Sequence, residues 1–132
     1  MTTTDTATAD TVRVDVRIYD DSGALTIRQT IHATPTATPG LVIHPLLLGP
    51  VTVDDNWCSV THAPSGKRLP ATFRTAEAAA AFAKAVGPLT NWEAQQPRTS
   101  QRLKEEATRL RREHGGIPDW QYTDECHKAA AA

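Results

Sequence analysis

The sequence predicts an α+β fold: two antiparallel β-hairpins packed with one alanine-rich helix, plus a peripheral charged C-terminal helix. Three observations indicate this class. Two separate stretches read as strand, turn and strand, each with a glycine in its turn. An alanine-rich run follows the second stretch directly, and a charged run with apolar residues at helical spacing lies further along the chain.

The first hairpin is predicted over residues 12–32. Alternation of apolar and polar residues is typical of a strand with one buried face, and it extends over Val12, Val14, Val16 and Ile18. The polar residues that follow favour a turn, in which Gly23 can adopt the positive φ that a bulged hairpin turn requires. Apolar residues then resume the alternation at Leu25, Ile27 and Ile31.

The middle of the chain is expected to connect two hairpins. Residues 33–40 are rich in Thr and Pro, and each proline disfavours helix at the residue before it, so we expect a mobile connection. The apolar run over residues 41–48 contains Pro45, which cannot donate a backbone hydrogen bond. An edge strand or a buried turn is therefore expected there rather than a central strand. A short strand after it is expected to end at the turn-forming residues 54–56.

A second hairpin is predicted over residues 57–74. Its strands, at residues 57–62 and 67–74, are joined by residues 63–66, which contain the Pro, Ser and Gly that turns favour. The second strand is basic at its start, and it is expected to continue directly into a helix.

The alanine-rich helix is predicted from its capping residues as well as its composition. Thr75 is the expected N-cap, residues 78–86 are mostly strong helix formers, and Gly87 and Pro88 end the helix. Its small apolar face is expected to lie close against the sheet, with Phe82 as the main anchor.

A second helix is predicted from about Ser100 to His114, closed by two glycines. Its apolar stripe is narrow, so we expect a peripheral helix. Much of its positive charge is compensated by carboxylates four positions away, in the pairs Arg102–Glu106, Glu105–Arg109 and Arg109–Glu113.

The length of 132 residues suits one domain, and the hydrophobic fraction of 39% indicates that the ordered part is smaller than the chain. We expect a disordered tail at residues 1–11, an α+β core domain at 12–96, a C-terminal helix at 97–116 and a largely flexible tail at 117–132. The first residues have neither the basic nor the apolar region of a secretory signal, and no apolar run is long enough for a membrane span. A cytoplasmic location without a membrane partner is expected.

Candidate catalytic and metal-binding residues do not group at the spacing that their chemistry needs. In one strand, Cys58 and His62 would lie about 13 Å apart, too far for a nucleophile to touch its base. The pairs Asp20–Asp21 and Asp54–Asp55 lie beside Ser, Gly or Asn, where turns are expected. The chain has no glycine-rich phosphate loop, nucleophile elbow or paired zinc ligands. The sequence therefore predicts no enzyme, no cofactor and no metal site.

Charge is distributed unevenly along a chain whose formal net charge is −1. Residues 1–55 hold three basic and seven acidic residues, a balance of −4, whereas residues 56–132 hold eleven and eight, a balance of +3. The segment 56–76 has three basic residues and no acidic one. A hairpin of this composition can present a positive edge to phosphates through Lys67, Arg68 and Arg74.

The segment SGKRLPATFRTAEAAAAF, residues 65–82, resembles the end of the arm-type DNA-binding domains of phage-type tyrosine integrases. The shared features are a Gly-basic turn, a Phe-x-Thr strand exit and a helix that starts with Glu-Ala. In that family a three-stranded sheet, backed by one helix, lies in the DNA major groove. The resemblance implies phosphate or base contacts by Lys67, Arg68 and Arg74, and packing by Phe73, Phe82 and Val86.

Two non-catalytic functions are expected from these observations. The first is a small accessory protein that binds duplex DNA through the hairpin at residues 57–74. The alternative is a protein-interaction adaptor or a homodimer that uses the C-terminal helix and an aromatic residue after it. The residues expected at that interface are Leu103, Ala107, Leu110 and Trp120.

Overall fold

The structure is a computed structural model that describes residues 11–20, 22–49 and 51–118. Among these described residues, two helices follow the strands: α1 (Ala76–Val86), which runs into a 3₁₀ turn at Gly87–Leu89, and α2 (Gln101–Glu113). The α+β class and both predicted hairpins are confirmed. The five strands are β1 (Val12–Tyr19), β2 (Leu25–Pro35), β3 (Leu41–Leu47), β4 (Val53–His62) and β5 (Lys67–Phe73).

The five strands form one sheet in chain order, and this sheet closes on itself. Consecutive strands are antiparallel, whereas β1 and β5 meet in parallel where Arg17 lies beside Lys67. The Arg17 amide donates to the Gly66 carbonyl at 2.7 Å. Gly66 has a φ of 74°, and a Cβ there would lie 2.1 Å from the Asp15 carbonyl oxygen. Closure therefore requires glycine at this turn position.

The position of β3 corrects the expectation of an edge strand or a buried turn at residues 41–48. The strand pairs with β4 along its length and with β2 at Val42 and Ile43, so it has neighbours on both sides. Pro45 lies beyond the β2 ladder and beside a register shift in the β4 ladder. Proline has no N–H to donate, and at position 45 no β2 residue is in register to accept one. The strand can therefore contain proline there without losing a hydrogen bond to β2.

The connection between the first hairpin and β3 is also shorter than expected. Residues 33–35 belong to β2. The turn that remains is anchored to α1, because the Thr38 hydroxyl donates to the Ala83 carbonyl at 2.7 Å. The expected connection over residues 33–40 is thus reduced to residues 36–40, and this short turn is bonded to the helix that packs on the sheet.

The turn-forming residues 54–56 do not end a strand, as was expected, but lie within β4. The pairing of β4 with β3 jumps from Cys58 to Asp54, and the Asp54 carboxylate accepts a hydrogen bond from the Asn56 amide at 2.9 Å. A bulge of this kind uses the same residue types as a turn, which explains the error.

Two clusters of buried residues lie on opposite faces of the sheet. Val42 and Ile43 are consecutive in β3 but belong to different clusters, as expected when successive strand residues point to opposite faces. The inner cluster contains Val14, Val16, Ala33, Val42 and Leu47. The outer cluster joins β3, β4 and β5 to α1, where the rings of Phe73 and Phe82 lie 5.1 Å apart. Phe82 is thus an anchor of α1, as predicted.

The predicted Thr75 N-cap of α1 is confirmed, and α2 begins at the predicted position, where Ser100 is its N-cap. The Thr75 hydroxyl accepts from the Ala78 amide at 3.0 Å, and the Ser100 hydroxyl accepts from the Leu103 amide at 3.1 Å. The predicted Arg109–Glu113 pair is present on α2, with Nη1 and Oε2 3.0 Å apart. The Ser100 cap determines where α2 starts, and the Arg109–Glu113 pair stabilises this charged outer helix.

The last described residues pack against the sheet. Ile117 exchanges backbone hydrogen bonds of 2.9 Å with Thr72 and packs beside Leu46 and Trp57. Of the two predicted tails, residues 1–10 and residues 119–132 lie outside the described residues. No helix in the described part of the chain is long and apolar enough to cross a membrane.

Candidate functional site

A cleft of about 740 Å³ opens between β5 and α2. One wall consists of the start of β5 and the end of β1, and the opposite wall consists of residues 95–99 and α2. Sites for small ligands commonly enclose about 300–1,000 Å³. Segments that are remote in the sequence meet here, so the cleft is a product of the closed sheet and of the way α2 packs on it.

The floor of the cleft is apolar and rigidly held. Trp92 is fixed because its indole N–H donates to the Val86 carbonyl at 2.9 Å, at the end of α1. Gly40 allows the close approach of this segment to the sheet: its φ is 98°, and a Cβ there would lie 2.1 Å from the Trp92 carbonyl oxygen. The floor residues are Leu69, Ala71, Phe82, Trp92, Leu103 and Ala107.

In the described part of the chain, five basic residues line the cleft, and we call them the basic rim: Arg17, Lys67, Arg68, Lys104 and Arg111. No aspartate or glutamate is among the described residues that line it. Since the whole chain has a net charge of −1, this local excess arises from the fold rather than from composition. Lys67 and Lys104 are exposed, whereas the three arginines are partly buried.

Arg17 also belongs to an ion-pair group on β1 and β2. The Asp15 carboxylate lies 3.1 Å from Arg17 and 3.0 Å from Arg28. Hydrogen bonds from Arg28 and then Arg17 lower the pKa of the Asp15 carboxyl below its ordinary value. Asp15 is therefore ionised at neutral pH and offsets part of the Arg17 charge. Lys67 and Lys104 are the exposed cations of the basic rim.

An aromatic ring lies at the mouth of the cleft. Tyr19 is 40% exposed and lines the cleft. The Lys67 ammonium lies 5.8 Å from the centre of the Tyr19 ring, within cation–π distance. A flat apolar surface and a positive charge are thus available side by side.

Two of the three residues predicted to bind DNA lie at this cleft. Lys67 and Arg68 line it, but Arg74 does not. The Arg74 guanidinium lies 4.5 Å from the centre of the Trp57 ring, beyond the far end of β5 and roughly 20 Å from Lys67 at the strand rise. The structure therefore does not bring these three residues together in one patch, and their contacts with DNA stay predictions.

The residues predicted for a protein interface are divided between the core and the cleft. Leu110 is 8% exposed and belongs to the outer core cluster, against which Ala107 packs. Leu103 is half-buried and lines the cleft. Trp120 lies outside the described residues. The apolar stripe of α2 thus contacts the rest of the protein, and its use by a partner stays a prediction.

His62 lies beside the cleft with both ring nitrogens near hydrogen-bonding partners. Nε2 lies 2.9 Å from the Ala94 carbonyl oxygen and donates to it, and Nδ1 lies 2.7 Å from the Ser65 hydroxyl. Cys58 is four residues earlier in the same strand, and burial raises the pKa of its thiol, which disfavours the thiolate. The two side chains do not form a nucleophile–base pair.

The described residues include no group of three or more His, Cys, Asp or Glu side chains placed to hold a metal ion. The chain matches no protein-family model, and comparisons with curated proteins and with solved structures give no match. The functional interpretation therefore depends on the geometry of the cleft.

Sequence reasoning did not predict Trp92 in the floor of the cleft or Lys104 in its opposite wall. A usable signal was present: residues 94–104 contain three basic residues and no acidic one, as the hairpin segment 56–76 does. The two acid-free segments meet across the cleft. The charge pairs within α2 indicated that its positive charge is compensated, so the excess of positive charge at its N-terminal end was not predicted.

Proposed function

We propose that this protein is a small, non-catalytic nucleic-acid-binding protein that contacts phosphates through the basic rim. The observation that carries the proposal is the grouping of five basic side chains around one cleft whose described lining residues include no carboxylate. Lys and Arg groups of this kind bind nucleic-acid backbones because each phosphate contact releases condensed counterions. The hairpin at residues 57–74 supplies two of the five, Lys67 and Arg68.

The non-catalytic part of the proposal is supported by the state of the candidate catalytic groups. His62 uses its ring nitrogens in contacts with Ala94 and Ser65 that hold the hairpin turn in place. The thiol of Cys58 is stabilised in its protonated form by burial. The Cys58 thiol therefore lacks the lowered pKa that activates a nucleophilic cysteine.

The alternative of an adaptor or a homodimer has narrower support. Its predicted surface depends on the α2 stripe, of which Leu110 is buried in the core. Leu103 and Ala107 are half-buried, and both line the same cleft as the basic rim. The charge of the cleft favours an anionic ligand over a generic apolar partner.

The test is a titration of fluorescein-labelled DNA, single-stranded and duplex, followed by fluorescence anisotropy at low salt. The variant Lys67→Ala/Lys104→Ala removes two exposed cations from the cleft. The matched control Arg13→Ala/Lys84→Ala removes the same charge from exposed positions on β1 and α1 that do not line it. We expect the cleft variant to bind at least about tenfold more weakly and the control to bind like wild type.

Equal weakening in both variants would show that net charge, and not the basic rim, determines binding. Failure of the wild-type protein to bind either form of DNA at low salt would overturn the proposed function. Circular dichroism of each variant establishes that the comparison is between folded proteins.

A further inference from the structure

We infer that the cleft binds nucleic acid as a single strand, with bases against the apolar floor and phosphates along the basic rim. The inference rests on the proposed function and specifies the form of its ligand. Three features of the described residues support it: the hairpin turn is enclosed by neighbours, the floor is apolar, and an exposed aromatic ring lies beside a rim lysine.

The enclosed turn argues against groove reading of a duplex. A two-stranded ribbon reads duplex DNA by entering the major groove, which is about 12 Å wide. Here the turn is bonded to the sheet through Gly66 and Arg17 on one side. On the other side, the Gln95 side-chain amide donates to the Pro64 carbonyl at 2.6 Å. The hairpin is therefore part of a wider body and is not a free ribbon, unlike the sheet that the integrase resemblance implies.

The apolar floor matches a chemical feature that duplexes conceal. In a duplex, the base faces are stacked on one another, so a protein contacts phosphates, sugars and base edges. In a single strand, the faces are accessible and stack on aromatic and apolar side chains. Leu69, Leu103 and Ala107 present such side chains beside Lys67 and Lys104. A single strand can use both surfaces together.

Tyr19 and Lys67 supply the two kinds of contact that single-strand binding combines. The exposed Tyr19 ring can stack with a base, and the Lys67 ammonium, 5.8 Å from the ring centre, lies within reach of an adjoining phosphate. Since stacking does not distinguish bases strongly, we expect binding with weak sequence preference.

The experiment compares a short labelled oligothymidylate with a duplex of the same length. Tyr19→Ala removes the exposed ring at the cleft, and Tyr19→Phe is the matched control that keeps a ring at the same position. Leu103→Ala is a second test variant, which removes a half-buried apolar side chain from the floor and serves if Tyr19→Ala fails to fold.

We expect wild type to bind the oligothymidylate about tenfold or more tightly than the duplex. Tyr19→Ala and Leu103→Ala are each expected to lose about tenfold in affinity for the single strand, and Tyr19→Phe to lose little. Duplex binding as tight as single-strand binding, or full affinity in both test variants, would overturn the inference and leave the proposed function standing. No binding of either probe would overturn both.

Discussion

Gly66 shows how one residue determines the site as well as the fold. Its positive φ and lack of a Cβ let the β4–β5 turn approach the Asp15 carbonyl, and its own carbonyl accepts the Arg17 amide. This contact places Lys67 beside Arg17. The basic rim is therefore assembled by the same backbone contact that closes the sheet.

Gly66→Ala is expected to destabilise the protein far more than Gly23→Ala. Both glycines have positive φ, at 74° and 88°, but a Cβ at Gly23 meets nothing within 4 Å. Gly23→Ala should therefore cost only the conformational penalty, about 1–2 kcal/mol. Gly66→Ala adds a backbone clash and should cost at least about twice as much. Urea unfolding measures both, and equal losses would mean that the closing contact contributes little.

His44 is buried in the sheet interior and links stability to pH. Its Nδ1 lies 2.7 Å from the Pro45 carbonyl oxygen, and its Nε2 lies 2.7 Å from the Thr61 hydroxyl. Burial lowers the pKa of His44 below its ordinary value of 6.5; the hydrogen bond with Pro45 opposes this effect, and the charge of Arg68 adds to it. The folded protein thus favours the neutral imidazole.

The free energy of unfolding is expected to fall as the pH decreases below 6.5, the ordinary pKa of histidine. In that range the unfolded chain binds a proton at position 44 that the folded protein binds only at lower pH, so stability is highest above 6.5 and declines toward the folded pKa. Urea unfolding across this range should show a steeper decline for wild type than for His44→Gln. Parallel pH profiles for the two proteins would contradict this assignment.

The elements differ in how far local sequence determines them. Thr75 caps α1 as predicted, and α2 starts at Ser100 as predicted, because a helix start depends on hydrogen bonds to residues only three positions away. Gly23 has the predicted positive φ because a tight hairpin turn is likewise determined by neighbouring residues. The double pairing of β3 and the bulge in β4 were not predicted, because strand partners and register are decided by contacts between distant residues.

The candidate site was predicted only in part, and the reason is similar. Lys67 and Arg68 were found because the hairpin segment is basic and free of carboxylates. Arg17 and Lys104 were not, since they lie 50 and 37 positions from Lys67 in the sequence and reach the cleft only through closure of the sheet and packing of α2. Arg74, close to them in sequence, lies elsewhere because β5 extends away from the cleft.

Helix α2 has a structural residue and a cleft residue on one apolar stripe, and substitutions should separate them. Leu110→Ala leaves a cavity in the outer core and is expected to cost about 2–5 kcal/mol. Leu103→Ala removes a half-buried side chain at the cleft and should cost about 1 kcal/mol or less while it weakens single-strand binding. Urea unfolding and anisotropy titration of both variants test this division, and a large stability loss in Leu103→Ala would contradict it.

At the scale of the whole molecule, three structural units combine to produce the site. The closed sheet supplies Arg17, Lys67 and Arg68, α2 supplies Lys104 and Arg111, and the segment fixed by Trp92 joins them. A protein with a formal net charge of −1 thereby presents a local positive surface with an apolar floor. Solvent-exposed charges of this kind act at short range in physiological salt, so the ligand must enter the cleft to benefit from them.

The salt dependence of single-strand binding tests the central claim most directly. With three or four phosphate contacts at the basic rim, the slope of log affinity against log salt should be about −2 to −3 for wild type. Removing two contacts in Lys67→Ala/Lys104→Ala should make the slope shallower by about 1.4, while Arg13→Ala/Lys84→Ala retains the wild-type slope. A wild-type slope near zero, or an unchanged slope in the cleft variant, would contradict phosphate binding by the basic rim.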